Sequence, residues 1–337
     1  MAIERRQPTM IDVAKEAGVS LKTVSRVVNA EPGTSVNTQE RVKAAIETLG
    51  YRRNNAASEL RSGRSGLVGL VVEDISEPFQ SELARSIEEV LEREGLLLLS
   101  ASTGADVDRG HKVLTALAER RVDGLIIFPS FDDYSFMKPL LGDFTQVVFV
   151  DRPPKGLAGG SVRSDHRGGA FAATSRLIDL GHTRIAYLGD PTSLYTGAER
   201  FAGYMEALID HELPFDPALV HLQNPVGGTV GNAFKEIMSL EDPPTAVFTG
   251  NSLTTIHLLR HPGFESDKIA HIAFDDLLLA DVLAVPLTTV SQDVSMIGAT
   301  AANMIQERIF GNTGDYETVV LPTRLILRES DLINLRS

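Results

Sequence analysis

Polar side chains follow several short apolar runs of the chain, at positions where a strand would end. Carboxylates, guanidinium groups and amides can together satisfy the many hydroxyls of a sugar or nucleoside, because each supplies a donor or an acceptor. The ring of Phe79 could stack on the apolar face of a sugar. These residue types indicate a site for a polyhydroxylated small molecule. The candidate residues are Phe79, Asp151, Arg152, Arg200, Asn251, Asp275 and Gln292.

The same residue types could serve acid/base or metal chemistry, but their spacing argues against both. Asp275 and Asp276 are adjacent, so at a strand end they point to opposite sides and do not share one substrate. His257 and His261 are four residues apart, without a third ligand at a recognisable spacing. The absence of cysteine excludes disulfides and cysteine-ligated metals. We therefore expect no catalytic residue, no metal and no cofactor.

Charge is divided unevenly along the 337 residues. Residues 1–65 hold 11 Lys and Arg against 7 Asp and Glu, an excess of four positive charges, so the net charge of −13 leaves −17 for the remainder. A small basic segment on a large acidic body suggests that the segment meets phosphates and the body meets another partner. No run of about 18 apolar residues and no secretory signal occurs. We expect a cytoplasmic protein.

The basic segment has the pattern of a helix-turn-helix. In TMIDVAKEAGVSLKTVSRVVNA, apolar residues fall at helical spacing on both sides of Gly18. Ser20 stands where the N-cap of a second helix belongs, and Ser35 can cap a third helix that ends at Gly50. The pattern therefore predicts a three-helix unit of about 50 residues with one small core.

The second predicted helix carries side chains that suit duplex DNA. In a helix-turn-helix this element enters the major groove, and residues near its N-terminus reach base edges. Lys22 and Arg26 can donate to guanine, and Leu21 can contact a thymine methyl. Nearby hydroxyl and amide groups suit phosphate contacts, and they belong to Ser20, Thr23, Ser25 and Asn29. A helical hairpin with a solvated polar face would have the same periodicity.

The stretch from Thr9 to Asn29 resembles the DNA-binding headpiece of the LacI/GalR family of bacterial transcription repressors. The resemblance rests on DVA at position 12, AGVS at position 17 and TVSRVVN at position 23, and it continues along the whole chain. It implies that Thr9 and Asn54 join the expected DNA contacts. It also implies a homodimer that sets two headpieces on a pseudo-palindromic operator.

Residues 51–65, YRRNNAASELRSGRS, form a polar, basic segment in which Leu60 is the lone large aliphatic residue. A free helix this short is unstable in water, below the roughly 12 to 15 residues required. The resemblance implies a hinge helix that pairs with its copy in the DNA minor groove, where Leu60 wedges between base pairs. The family usually has a proline soon after Tyr51, and Arg52 and Arg53 stand here instead. Without the resemblance, Leu60 would be an exposed residue in a linker.

After Gly66, short apolar runs alternate with amphipathic helical stretches, which is typical of parallel sheets covered on both faces. We expect a small all-α headpiece followed by an α/β body of two Rossmann-like lobes, and the resemblance implies a periplasmic-binding-protein-like fold. The expected limits are 1–50 for the headpiece, 51–65 for the hinge, 66–337 for the effector-binding and dimerisation domain, about 66–162 and 291–320 for the first lobe, and about 165–288 and 321–330 for the second.

Ligands of such folds bind at the carboxyl ends of the strands. Arg200 in RFAGY and Asp275 in FDD match the family's effector-binding arginine and aspartate closely, whereas Asn251 and Asp151 match less strictly, because Ser252 replaces a usual aspartate. The other three candidates are suggested by analogy with related sugar-binding proteins. Each candidate could instead cap a helix or join a salt bridge between lobes.

We therefore predict a transcriptional regulator, a repressor by preference, whose affinity for double-stranded operator DNA is controlled by a sugar-type or nucleoside-type effector between the lobes. Its partners would be DNA, the effector and a second copy of the chain, without a membrane. In the family most effectors release DNA and a few act as corepressors. The sequence leaves open whether the effector lowers or raises the affinity for DNA. Two alternatives remain: a sugar-binding module without duplex affinity, and a cleft enzyme whose turnover Asp275→Asn would abolish.

Overall fold

The computed structural model describes residues 8–28, 31–52, 64–104, 106–131, 133–142, 145–153, 155–225, 228–311 and 314–333. Three predicted DNA contacts, Asn29, Asn54 and Leu60, lie outside these residues, as does most of the predicted hinge helix. The chain divides into two compact units, Met1–Ser65 and Gly66–Ser337. Among the described residues, no helix is both long enough and apolar enough to cross a membrane.

The first unit contains three described helices, which are α1 (Met10–Ala17), α2 (Leu21–Val28) and α3 (Val36–Leu49). Ser20 Oγ accepts a hydrogen bond from Thr23 N at 3.1 Å, at the start of α2. Ser35 caps α3, and Gly50 ends it in the left-handed conformation that favours glycine. The predicted caps and stop are confirmed, because they depend on hydrogen bonds within one turn of the chain.

The core of this unit is a small apolar cluster between the three helices. Val13, Val24 and Val42 are fully buried, one on each helix, and Tyr51 packs with them. Burial of each such side chain contributes roughly 1.5–3 kcal/mol. Because Val24 turns inward, the opposite face of α2 with Lys22 is left in solvent.

The second unit alternates strands and helices. Its strands are β1 (Leu67–Val72), β2 (Leu97–Ser102), β3 (Gly124–Ile127), β4 (Gln146–Val150), β5 (Gly160–Ser164), β6 (Ile185–Gly189), β7 (Val220–Leu222), β8 (Ala246–Thr249), β9 (Ala270–Phe274), β10 (Thr288–Ser291), β11 (Thr318–Leu321) and β12 (Arg324–Ile326). Its helices are α4 (Pro78–Arg93), α5 (Val107–Glu119), α6 (His166–Asp179), α7 (Tyr195–Asp210), α8 (Thr229–Met238), α9 (Ser252–Leu259) and α10 (Val294–Ile309).

The strands form two sheets, one in each lobe. The first has the order β11-β5-β4-β3-β1-β2, and the second has the order β12-β10-β9-β8-β6-β7. The described pairs are parallel except β10 with β12. Buried strands such as β3 and β9 are covered by helices on both faces. The expected fold class, a helical headpiece with a two-lobed α/β body, is confirmed.

The chain passes three times between the two sheets. It leaves the first sheet after Ser164, returns to it after Ser291, and leaves it again between Leu321 and Arg324. Such crossings place the carboxyl ends of strands from both sheets around one crevice. The side chains that follow β1, β4, β6, β8, β9 and β10 therefore meet, although they lie far apart in sequence.

Helices α6 and α7 pack closely on the second sheet. A Cβ atom at Gly203 would lie 2.2 Å from the backbone oxygen of Arg167, so glycine permits this approach. The contact brings the start of α6, at His166, beside Arg200 on α7. Helix packing thereby sets the position of two charged or polar side chains at the crevice.

Candidate functional site

Helix α2 presents a basic, partly apolar face to solvent. Lys22 is exposed, Leu21 is 49% exposed, and Arg26 is half-buried. Ser20 Oγ and Thr23 Oγ1 lie 2.8 Å apart at the start of the helix. This arrangement can offer cations and hydroxyl groups to a polyanion, as sequence reasoning expects.

A shallow groove of about 450 Å³ runs between the start of α2 and the segment that leads into α3. Its lining contains two cations and several hydroxyl groups, and the lining residues are Val19, Ser20, Lys22, Thr23, Arg26, Gly33, Thr34, Ser35 and Thr38. Phosphate oxygens are suitable partners for such donors.

Thr9 has a local structural role in addition to its predicted DNA contact. Asp12 N donates to its hydroxyl at 3.4 Å, and Thr9 N donates to Asp12 Oδ2 at 2.8 Å, so the two residues form a capping box at the start of α1. Ser25, another predicted DNA contact, is half-buried on α2 and already interacts with another group of the protein.

The second unit contains a cleft of about 740 Å³ at the carboxyl ends of both sheets. Its volume suits a ligand of one or two sugar rings in size. Residues from both lobes line it, and the seven candidates from the sequence are among them, which are Phe79, Asp151, Arg152, Arg200, Asn251, Asp275 and Gln292.

Asp275 is the centre of a hydrogen-bonded group on the second-lobe side. Gln292 Nε2 donates to Asp275 Oδ1 at 2.6 Å, and Ser252 N donates to Asp275 Oδ2 at 3.2 Å. The backbone of Asp275 is left-handed, with φ of 75°, directly after β9. This strained conformation turns the carboxylate toward the cleft.

Arg200 is a buried cation held by several acceptors. Its Nη1 donates to the carbonyl of Gly250 at 2.6 Å and lies 3.8 Å from Asp275 Oδ2. The guanidinium carbon stands 3.9 Å from the ring centroid of Phe274, and Nε donates to His166 Nδ1 at 3.4 Å. These contacts hold the guanidinium group in one orientation at the edge of the cleft.

Asp151 occupies the corresponding position after β4 in the first lobe, also left-handed, with φ of 69°. Its Oδ1 lies 3.4 Å from His166 Nε2, and its Oδ2 lies 3.6 Å from Arg152 Nε. Burial alone would raise the pKa of this carboxyl. The contact with His166 and the charges of Arg152 and Arg200 outweigh burial and hold the pKa below its usual value.

His166 is a site residue that sequence reasoning missed. It is buried at the first position of α6, directly after the first crossing between lobes, and stands between Asp151 and Arg200. Its place next to a crossing could have marked it, but its two partners lie 15 and 34 residues away. A contiguous polar chain therefore runs from the first lobe to the second.

The remaining candidates contact aromatic rings of the first lobe or cap a helix of the second. Phe79 meets Phe128 edge-on with ring centroids 6.2 Å apart, and the Arg152 guanidinium lies 5.1 Å from the Phe128 centroid. Asn251 Oδ1 accepts from Thr254 N at 2.7 Å, which caps α9. Asn251 thus has the capping role considered from the sequence while it also lines the cleft.

Four acidic residues of the cleft were not identified from the sequence: Glu73, Asp74, Glu77 and Asp190. Glu77 precedes α4 in the first lobe, and Asp190 follows β6 in the second. Burial raises the pKa of both carboxyls. Neither belongs to an obvious motif, so only the folded chain could connect them with the cleft.

Asp276 is turned away from the cleft, as the strand geometry predicts. It pairs with Arg328, with Nη1 and Oδ1 2.9 Å apart, and accepts from Thr289 Oγ1 at 2.8 Å. No group of three His, Cys, Asp or Glu side chains suited to a metal lies within the described ranges. His261 instead accepts from Gly263 N at 3.1 Å.

Comparison with known proteins connects both units to one family. Residues 9–54 match the family model described as bacterial regulatory proteins, lacI family, and residues 174–330 match the periplasmic binding protein-like domain. The HTH-type transcriptional regulator DegA of Bacillus subtilis is 31% identical, and the alignment covers 96% of this chain and 97% of DegA. The regulator CelR of Thermobifida fusca is 32% identical, covering 97% and 99%.

Solved structures agree with these relatives. The lac repressor dimer bound to operator and the anti-inducer ONPF has a TM-score of 0.81 and 25% identity, and covers 97% of this chain and 100% of that chain. The complex of CelR with cellobiose has a TM-score of 0.70 and 30% identity, and covers 96% and 99%. The similarity therefore extends over the headpiece and both lobes.

Proposed function

The chain belongs to the lacI family of bacterial regulatory proteins, and from this membership we propose that it is a homodimeric, cytoplasmic repressor whose operator affinity responds to a small polar effector. It is a transcriptional regulator and not an enzyme. The effector is a sugar, a sugar derivative or a nucleoside, bound between the lobes. We propose the domain limits that the sequence predicts, with a headpiece over 1–50, a hinge over 51–65 and the body over 66–337.

The observation that carries the proposal is the lining of the cleft. Carboxylates, guanidinium groups and amides from both lobes converge on a space of about 740 Å³ that suits a small hydroxylated ligand. The affinity of a ligand that contacts both lobes depends on the angle between them. Linkage then requires that effector and operator affect one another's affinity by the same factor.

The polar chain from Asp151 through His166 to Arg200 offers a physical route for this coupling. Arg163 on β5 also donates to Tyr195 Oη on α7 at 2.8 Å, so a second contact joins the two lobes. Both contacts must adjust when the lobes change their angle. Such rearrangement can reach the hinge and alter how the two headpieces are held.

On the DNA side, Lys22 and Arg26 would contact guanine and Leu21 a thymine methyl. The other expected contacts are to phosphates or through the hinge, and they are Thr9, Ser20, Thr23, Ser25, Asn29, Asn54 and Leu60. The dimer is supported by exposed aliphatic side chains in the segment between β9 and β10: Leu278 is 89%, Leu279 62% and Val282 69% exposed. Exposed aliphatic side chains so close together along the chain are typical of an interaction surface.

The function is tested by selection of duplexes from a randomised pseudo-palindromic DNA library at low ionic strength, followed by gel-shift titration of the full chain. We expect enrichment of one operator sequence and an affinity for it at least about a thousandfold above that for random DNA. The sugar-binding module alternative predicts no duplex affinity. Absence of any enriched sequence would contradict the repressor function.

Leu60→Ala is expected to weaken operator binding by tenfold or more while non-specific DNA binding changes less than about twofold. The reason is that a wedged side chain contributes only on the kinked operator, whereas non-specific affinity is electrostatic. Gel shifts on the selected operator and on a scrambled duplex measure both. Equal losses on the two duplexes would count against the hinge role, and Leu60→Met serves as the size-conserving control.

A further inference from the structure

The lining of the cleft is strongly acidic. Its described residues include six carboxylates against two guanidinium groups, which leaves an excess of four negative charges. The charged members are Glu73, Asp74, Glu77, Asp151, Asp190, Asp275, Arg152 and Arg200. In a partly enclosed site this excess acts on any charged ligand more strongly than it would in water.

The two cations are already engaged by the protein. Arg200 donates to Gly250 O at 2.6 Å, and Arg152 Nη1 donates to Pro129 O at 2.8 Å. Arg152 Nε lies 3.6 Å from Asp151 Oδ2, and Arg200 Nη1 lies 3.8 Å from Asp275 Oδ2. Each guanidinium therefore faces a carboxylate, and little positive charge is left for an anionic ligand.

Glu77 and Asp190 have no such ion pair, although Arg200 and Arg152 act on Asp190 at longer range and the Asn251 side chain hydrogen-bonds it. Among the described residues neither has a Lys, Arg or His nitrogen within 4.0 Å, although Glu77 Oε2 accepts from Gln80 N at 3.1 Å. Both are half-buried and face the cleft, one from each lobe. A half-buried carboxylate that no cation contacts directly favours a donor or a cation in the space before it.

Gln292 provides a second and independent indication of the ligand's chemistry. The side chain is 9% exposed, and its Oε1 is buried without a hydrogen-bond partner. Its Nε2 must be the atom that faces Asp275 Oδ1, since the carboxylate only accepts, so the amide oxygen is the free end. A buried acceptor left unpaired costs free energy until a ligand donates to it.

We propose that the effector is an uncharged or amine-bearing polyol, and that Glu77 and Asp190 determine this specificity by rejecting phosphorylated and carboxylated analogues. The inference rests on the proposed effector function of the cleft. It narrows the ligand class, because sugar phosphates, sugar acids and nucleotides are excluded. A unit negative charge about 7 Å from one carboxylate, at an effective dielectric constant of about 20, weakens binding roughly fiftyfold.

The test is a thermal-shift and calorimetric comparison of the full-length protein with matched ligand series. The probes are cellobiose, glucose, galactose and ribose. Glucose and galactose are each compared with their 2-amino sugar, their 6-phosphate and their uronate, and ribose is compared with its 5-phosphate. We expect a neutral or amino member to bind, and its phosphate or uronate to bind at least about fiftyfold more weakly.

The variant Glu77→Gln, Asp190→Asn should reduce that discrimination at least tenfold, largely through tighter binding of the anionic member. Both substitutions keep an acceptor oxygen, so the helix start at Gln80 N can stay capped. Glu88→Gln, an exposed carboxylate on the same helix, is the matched control and should leave the discrimination unchanged.

Stability without ligand supplies a further readout. Because the folded-state pKa of each carboxyl is raised above its ordinary value of 4.5 or 3.8, its contribution to stability is complete below that ordinary value and is lost as pH rises through the folded-state pKa. Asp275, Asp151, Arg152 and Arg200 are the charged groups that face them. The double variant should therefore melt higher than the wild type at pH 7.5, with a gain that shrinks toward pH 4.5.

Three outcomes would overturn the proposal: an anionic member that binds the wild type more tightly than its neutral parent, a discrimination unchanged in the double variant, or binding by none of the neutral and amino probes. Gel shifts on the selected operator are run with the same protein. Retained operator binding in any of these cases would leave the DNA-binding function intact and reject only the ligand class.

Discussion

Arg200→Ala is expected to destabilise the body by about 3 kcal/mol and to abolish the response of operator binding to effector. The substitution removes a buried cation and leaves the Gly250 carbonyl and Asp275 with one partner fewer. Loss of one member of a buried pair typically costs about 3–5 kcal/mol, and the lower end applies because Asp275 is partly exposed. Urea unfolding of the full chain and effector titration of operator complexes measure the two effects.

The control for this prediction is Arg85→Ala. Arg85 is 76% exposed and pairs with Glu89 on the surface of α4, so its removal should change stability by less than about 0.5 kcal/mol. Arg200→Lys should fall between the two variants, because a lysine keeps the charge but lacks the planar fork that meets several acceptors. An Arg200→Ala protein with wild-type stability and a wild-type response to effector would contradict the role given to this residue.

The double variant Lys22→Ala, Arg26→Ala is expected to lose specific operator affinity by roughly 10² to 10⁴, since a good contact to a base contributes about 1–3 kcal/mol. The core of the headpiece should be unaffected, because Val24 packs inward and these two side chains do not belong to the apolar cluster. Gel-shift titration on the selected operator at several salt concentrations measures the loss.

Salt dependence separates base contacts from phosphate contacts in this experiment. A residue that contacts a phosphate lowers the salt slope by about one when it is removed, whereas a base contact mainly changes the preference between sequences. Lys43→Ala is the control, because Lys43 is exposed on α3 outside the groove beside α2. Equal affinity losses for the double variant and this control would reject α2 as the recognition helix.

The helical headpiece was predictable because its signals are local. Apolar spacing around Gly18, a hydroxyl at Ser20 and Ser35, and glycine at position 50 act within a few residues of the chain. The same applies to the strands of the body, since a buried parallel strand must be apolar throughout. The candidates for the cleft followed from their position after a strand, because carboxyl ends of parallel strands share one edge.

The tertiary structure decided which of these polar groups contact one another. His166 is fixed between Asp151 and Arg200 by the packing of α6 on α7, and no spacing along the chain encodes that contact. The left-handed backbone of Asp151 and Asp275 is likewise held by neighbouring strands, since Asp151 N donates to Val162 O and Asp275 N donates to Val290 O. In the same way, Glu77 and Asp190 become cleft residues only when two lobes close around one space.

The amino-acid sequence by itself determined the helices, the strands, the division of charge and the class of side chains at strand ends. These properties depend on side-chain size, polarity and hydrogen bonding over one or two turns. Partner choice, burial and the resulting pKa shifts depend on distances between residues that are remote along the chain. The fold sets those distances, and for this reason the acidic character of the cleft became visible only in the folded protein.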